Sequence, residues 1–186
     1  MKRTAFSDWP CSIARSIDLL GDWWTPLVLR DAYFGAKRFE HFQRSLGIGR
    51  NVLTQRLNRL VDEGLFERVR YQEHPPRDEY RLTAKGRDFM PVLMAMSAWG
   101  DRWLATDEGP PVTFTHKPCG HTTEARVVCS HCGEPILYGS VRGSRRLDAA
   151  SPAFSASSAS KTRLNDTEKP KDAENPAPRL DYESPV

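Results

Sequence analysis

Between Gly47 and Leu82 the chain changes its period, and that change limits the folds open to it. GIG (Gly47 to Gly49) is tight-turn chemistry. After it, Leu53, Leu57 and Leu60 recur at helical spacing with Val61 beside them, and Gly64 closes the run. From Phe66 the pattern alternates. Glu67, Val69 and Tyr71 face one way, and Phe66, Arg68 and Arg70 the other. EHPPRD (Glu73 to Asp78) reads as a proline-stiffened turn, and Glu79 to Leu82 runs back as the second strand of a hairpin. Just before the turn, RFEHFQRSL (Arg38 to Leu46) puts Phe39, Phe42 and Leu46 on one side of a short helix.

The flanks extend the pattern. Ile13, Ile17 and Leu20 predict a first helix ending near Gly21. Pro26 suits the first turn of a second, with Leu27, Leu29 and Tyr33 available for burial and Gly35 as its stop. Thr83 is an N-cap for one last long helix, kinked by Pro91, with Phe89, Leu93, Met96, Trp99 and Trp103 along one face. The order helix, tight turn, helix, basic hairpin predicts a mainly α chain with a small β-hairpin wing, a winged helix-turn-helix.

The outward face of the helix from Arg50 carries Asn51, Gln55 and Asn58, with Arg50, Thr54 and Arg59 nearby. Asn and Gln can bond an adenine edge in two places, and Arg can do so with guanine. Many amphipathic helices with such faces only meet water; the hairpin that follows shifts the balance. From Lys37 to Arg87 there are 12 Lys and Arg against 7 Asp and Glu, a local excess larger than the +3 of the whole chain. Gly49 leaves the first helical amides uncovered, where a phosphate can dock. On the hairpin, Arg68, Arg70 and Arg81 suit backbone contacts or edge protection, and Arg77 at the tip suits a narrow minor groove. These ten residues are the candidate contacts to double-stranded DNA.

Residues 1–105 hold all five tryptophans and form the expected DNA-binding and dimerisation domain. TDEGPP (Thr106 to Pro111) is a hinge. Residues 112–138 form a small Cys/His segment, and 139–186, rich in Ser, Ala, Pro and mixed charge, predict a disordered tail. No internal repeat is evident. The opening MKRTAFSDWP lacks a secretory signal, and no stretch approaches the roughly 20 apolar residues of a membrane span. A cytoplasmic protein with no membrane partner is therefore the expectation.

HKPCG (His116 to Gly120) and CSHCG (Cys129 to Gly133) are two x-x-spaced pairs, each followed by Gly. That spacing predicts a zinc-ribbon-like site with His116, Cys119, Cys129 and Cys132 as ligands, His121 or His131 being alternatives to His116. The other reading is three incidental cysteines, or a ribbon that has lost its metal. Cys11, near the first helix start, is a candidate redox sensor, with packing as the plainer role. No acid–base set accompanies it, so no enzyme is expected.

At this point a resemblance enters. CSIARSIDLLGDWWTPLVLRDAYFGAKRFEHFQRSLGIGRNVLTQRL and LVDEGLFERVRYQEHPPRDEYRLTAKGRDFMPVLMAMSAWG resemble the HxlR-type winged helix-turn-helix transcriptional regulators of bacteria, from Cys11 to about Trp103. The most specific pieces are Arg38–Phe39, LTQRL at Leu53, DEGL at Asp62, PPRDEYRLTAKG at Pro75, and Trp99–Gly100. The resemblance implies a homodimeric DNA-binding repressor or activator that responds to a small-molecule effector or redox stress. It maps the recognition helix onto Arg50 to Glu63 and the wing onto Phe66 to Leu82. It requires no cofactor for DNA binding. Two departures are Gly49, where Ser or Ala is usual, and Pro10-Cys11-Ser12 in place of a Cys-Pro opening; the second bears on thiol chemistry at Cys11. The phenylalanine-to-tryptophan stripe from Phe89 to Trp103 is the expected dimer seam, with intramolecular core as its alternative. A winged-helix module that binds protein and no nucleic acid is the rival function.

Overall fold

The computed structural model describes residues 6–104 and 106–144, all within a unit that runs to Arg146. Most of the expected tail, 145–186, lies outside the described residues.

Helix α1 (Ser12–Leu20) ends at Gly21, whose φ of 77° is a conformation that glycine adopts without strain. Helix α2 (Trp24–Tyr33) starts where Asp22 Oδ1 accepts the amides of Trp24 (3.0 Å) and Thr25 (3.2 Å). Asp22 is thus the anion at the positive end of α2. Helix α3 (Phe39–Leu46) and helix α4 (Arg50–Asp62) flank the Gly47 turn. The end of α4 is a Schellman motif: the Leu65 amide donates to Leu60 O at 2.8 Å and the Gly64 amide to Val61 O at 2.9 Å. Leu65 is buried by that turn.

Strands β1 (Phe66–Gln72) and β2 (Arg77–Leu82) pair antiparallel, with Phe66 opposite Leu82, Arg68 opposite Tyr80 and Arg70 opposite Asp78. The register shifts between Arg70 and Gln72, so Tyr71 bulges where the hairpin approaches its tip. On its outer side β2 is tied down by the Tyr80 amide, which donates to Lys37 O at 2.7 Å. The wing root is aromatic. Phe42, Phe66 and Tyr80 have ring centroids 6.2 to 6.5 Å apart, a spacing at which tilted and edge-on pairs attract.

The expected single last helix is two. Thr83 caps α5 (Ala84–Asp88), its hydroxyl accepting the Gly86 amide at 3.1 Å. The helix breaks at Phe89, and α6 (Met90–Trp103) begins with Pro91 in its first turn. Pro91 has no amide to give to the preceding turn and its ring crowds it, so the chain restarts and does not merely kink. Gly86 is needed for a separate reason. A Cβ there would lie 2.2 Å from the Leu65 carbonyl oxygen, and the Tyr33 hydroxyl donates to Gly86 O.

The core is the meeting of α2, α3, α4 and the wing root. Val28, Leu29, Phe42, Leu53 and Leu57 have no exposed surface, and each such side chain contributes about 1.5–3 kcal/mol of burial free energy. After α6 come two short strands, β3 (Phe114–Thr115) and β4 (Thr122–Thr123), paired antiparallel. No helix among the described residues is long and apolar enough to cross a membrane.

Candidate nucleic-acid interface

Helix α4 is held from beneath by Leu53, Leu57 and Leu60, all buried. One helical turn repeats every 3.6 residues, so Asn51, Gln55 and Asn58 point away from that stripe. Asn51 and Gln55 are exposed, and among the described residues neither side chain has a hydrogen-bond partner. Asn58 is half-buried and accepts from Arg68 of β1. Thr54 is exposed, but its hydroxyl donates to Arg50 O at 2.9 Å. Arg50 lies with its guanidinium carbon 5.0 Å from the centroid of the Phe39 ring, which steadies it without using its N–H donors. Gly49 contributes no side-chain cap, so the first amides of α4 remain available to an anion.

Other arginines are already engaged. Arg59 donates to the Asp18 carbonyl of α1, and Arg56 forms an ion pair with Asp22, tying α4 to the α1–α2 turn. On the wing, Arg70 is paired with Asp78 across the hairpin, and Glu73 lies at 3.7 Å; the hydrogen bond and charge of Asp78 push its pKa further up. Arg81 pairs with Glu79 along its own strand. Arg68 spans Asn58 and the face of Tyr80. Arg77 at the tip is exposed and has no hydrogen-bond or ion-pair partner among the described residues. The local excess of cations therefore overstates the charge free to meet a phosphate. Arg38, which sequence reading passed over, stacks 4.4 Å from the Tyr71 ring and adds an exposed cation beside the wing. Its only sequence signal was the Arg38–Phe39 pair at the start of α3.

The stripe expected as a dimer seam divides. Phe89 and Leu93 pack against the core, whereas Met96, Trp99 and Trp103 are more than half exposed. Ile13 and Ile17 are also more than half exposed, and neither α1 nor α6 has a buried residue. A cavity of about 260 Å³ lies between α2 and α6, with Leu27, Tyr33, Leu93 and Met94 among its walls and Val112 and Phe114 closing one side.

Cys11 is half-buried at the start of α1. The other three thiols are free. His116 Nδ1 is 3.2 Å from Cys119 Sγ. Cys129 accepts from the backbone of Cys132 and His131 and from the Cys132 side chain, which hold its thiol below the ordinary value. Among the described residues no three His, Cys, Asp or Glu side chains form a group that could hold a metal ion; the four expected ligands stand as two pairs.

Residues 19–108 match the family model of the HxlR-like helix-turn-helix. The chain is 45% identical over 130 residues to an HTH-type transcriptional regulator of Mycobacterium tuberculosis, covering 70% of this chain and 82% of the relative. It is 41% identical over 110 residues to an HTH-type regulator of Synechocystis, 54% of this chain and 82% of that one. The crystal structure of the transcription factor candidate PA1607 superposes with a TM-score of 0.69 at 35% identity, covering 77% of this chain and all of that one. The 130 residues matched in the mycobacterial relative outnumber the 108 that precede Gly109, so that likeness runs into the C-terminal segment.

Proposed function

Because the chain belongs to the HxlR-like helix-turn-helix family of DNA-binding transcriptional regulators, we propose that it works as a homodimer that reads a specific operator, as a repressor released by a small-molecule or oxidative signal. The observation that carries this reading is the unpartnered pair Asn51 and Gln55, exposed beside the uncapped start of a helix whose opposite face is locked in the core. Hydrogen-bonding side chains presented to solvent on a helix fixed from beneath suit base edges. Arg77 and the amides after Gly49 supply the sequence-independent contacts to phosphate.

The homodimer is supported by the open apolar faces of α1 and α6. Ile13, Ile17, Met96, Trp99 and Trp103 are each more than half exposed, apolar surface that a second copy can cover. A second copy packed there in two-fold symmetry puts two α4 helices in successive major grooves. An effector in the cavity between α2 and α6 changes the angle between the dimer helix and the DNA-reading helices, and so the spacing of the two α4 helices. That is the differential binding a ligand needs to shift the equilibrium.

The test is binding to the DNA immediately upstream of its own gene and to random DNA across a salt series. Gln55→Ala and Arg50→Ala are expected to cut the preference for the cognate site, by about 1–3 kcal/mol each. Arg77→Ala is expected to weaken binding to both DNAs and to lower the salt slope by about one. Arg70→Ala should do the same by less, since Asp78 already neutralises Arg70. No preference over random DNA, or equal losses on both DNAs for all four variants, would reject the division of roles.

A further inference from the structure

The segment 112–144 keeps a defined shape without a core. None of its residues is buried, and only Phe114, Thr123, Ala125 and Cys129 are half-buried. A piece this small ordinarily needs a staple other than apolar burial.

Two turns in this segment, at the two x-x-spaced pairs, repeat one backbone construction. In the first, the His116 amide donates to His121 O at 2.9 Å and the Gly120 amide to His116 O at 2.7 Å. In the second, the Cys129 amide donates to Glu134 O at 2.8 Å and the Gly133 amide to Cys129 O at 2.9 Å. The two bonds join the same relative positions in both turns. The closing glycines match as well, with φ of 75° at Gly120 and 77° at Gly133. So does the pairing that brackets them: Thr115 lies opposite Thr122, and Val128 opposite Pro135. Each turn thereby sets its first and fourth residues in the same relation, and in the first turn His116 Nδ1 lies 3.2 Å from Cys119 Sγ.

We propose that these two turns close on a single zinc ion, with His116, Cys119, Cys129 and Cys132 as its four ligands. Three sulfurs and one imidazole nitrogen are a soft donor set that favours zinc over magnesium or calcium. Four protein ligands leave no open position, so the site is structural. Because no three of these side chains converge, binding brings one turn towards the other while the hydrogen bonds inside each turn are kept. The three thiols lose their protons to solvent as the Zn–S bonds form. The zinc then becomes the missing core of the segment. It also anchors the chain that carries Val112 and Phe114 into the wall of the cavity beside α2 and α6. The likeness to the mycobacterial relative, which runs past Glu108, gives the segment a place in the shared part of these proteins.

The experiment uses the full chain, purified under reducing conditions without chelator, with metal measured by plasma emission spectroscopy. One zinc per chain is expected. Replacement by cobalt should give the visible bands of a tetrahedral ion and thiolate charge transfer near the ultraviolet. Cys119→Ser and Cys132→Ser should each lose the metal while the helical circular dichroism of the winged helix is kept. His116→Ala should lose it and His131→Ala should not. Less than about a tenth of an equivalent of zinc after reconstitution with all thiols reduced, or zinc retained by the Cys119→Ser/Cys132→Ser double variant, would overturn the proposal. So would a cobalt spectrum without thiolate bands.

Discussion

Phe42 and Tyr138 mark the two ends of this molecule's range. Phe42 in α3 exposes nothing, while Tyr138 in the C-terminal segment is as open as in an extended peptide. Around Phe42 the chain is shaped by burial: α2, α3, α4 and the wing root share one apolar cluster. Around Tyr138 it is shaped by turns, three glycines at positive φ (Gly120, Gly133 and Gly139) and a few strand rungs. A region held by burial resists local change because every side chain has many neighbours. A region held by turns has few such contacts, so its order depends on whatever links the turns.

The largest expected effect tests that contrast directly. Phe42→Ala should cost about 3–5 kcal/mol of unfolding free energy, since it empties the aromatic junction beneath the wing. Leu137→Ala, at a side chain 67% exposed, should stay within about 0.5 kcal/mol in the same urea titration. Similar losses for the two would break the comparison. Next comes Gly86→Ala. The added methyl has to displace the Leu65 carbonyl or the strand behind it, a cost of about 1–3 kcal/mol by thermal unfolding; a neutral result would mean that the α5–wing junction is loose.

The smallest effect sharpens the view of the junction between α2 and α5. Burial, then the nearby charge of Asp88, pushes the Tyr33 hydroxyl up to about 12. The unfolded chain loses that proton near its ordinary value of 10.0, so between the two values the folded form holds more protons. Stability should therefore be complete below pH 10 and fall as the pH rises towards 12. Tyr33→Phe should remove that slope and cost about 1 kcal/mol at neutral pH, the worth of its bond to Gly86 O. Urea midpoints measured from pH 8 upward give both numbers; an unchanged alkaline slope in Tyr33→Phe would place its origin elsewhere.

Much of the fold was legible because its signals are local. Leu53, Leu57 and Leu60 announced both the helix and its buried side, and Gly64 announced where it ends. The alternation after Phe66 announced the hairpin. The candidate base-reading surface was legible for the same reason, since Asn51 and Gln55 are placed by helical period alone. Arg59 was not: its partner, the Asp18 carbonyl, is 41 residues away in sequence. The pairing of Arg56 with Asp22 was hidden in the same way. Ile13, Ile17 and Leu20 announced the first helix, but not that Ile13 and Ile17 face outward while Leu19 and Leu20 pack on the core. Periodicity tells which residues share a face and is silent on what that face meets.

What the amino-acid order determined by itself is therefore the set of elements, their punctuation by Gly and Pro, and the chemistry carried on each face. Those depend on backbone geometry within a few residues. The tertiary structure alone decided which arginines remain open to a phosphate, that the stripe from Phe89 to Trp103 packs on the core at one end and stays open at the other, and that the backbone hydrogen bonds of the turns at His116 and Cys129 match. Each of these depends on long-range contacts or on the hydrogen bonds of turns, and neither leaves a periodic trace in the residue order.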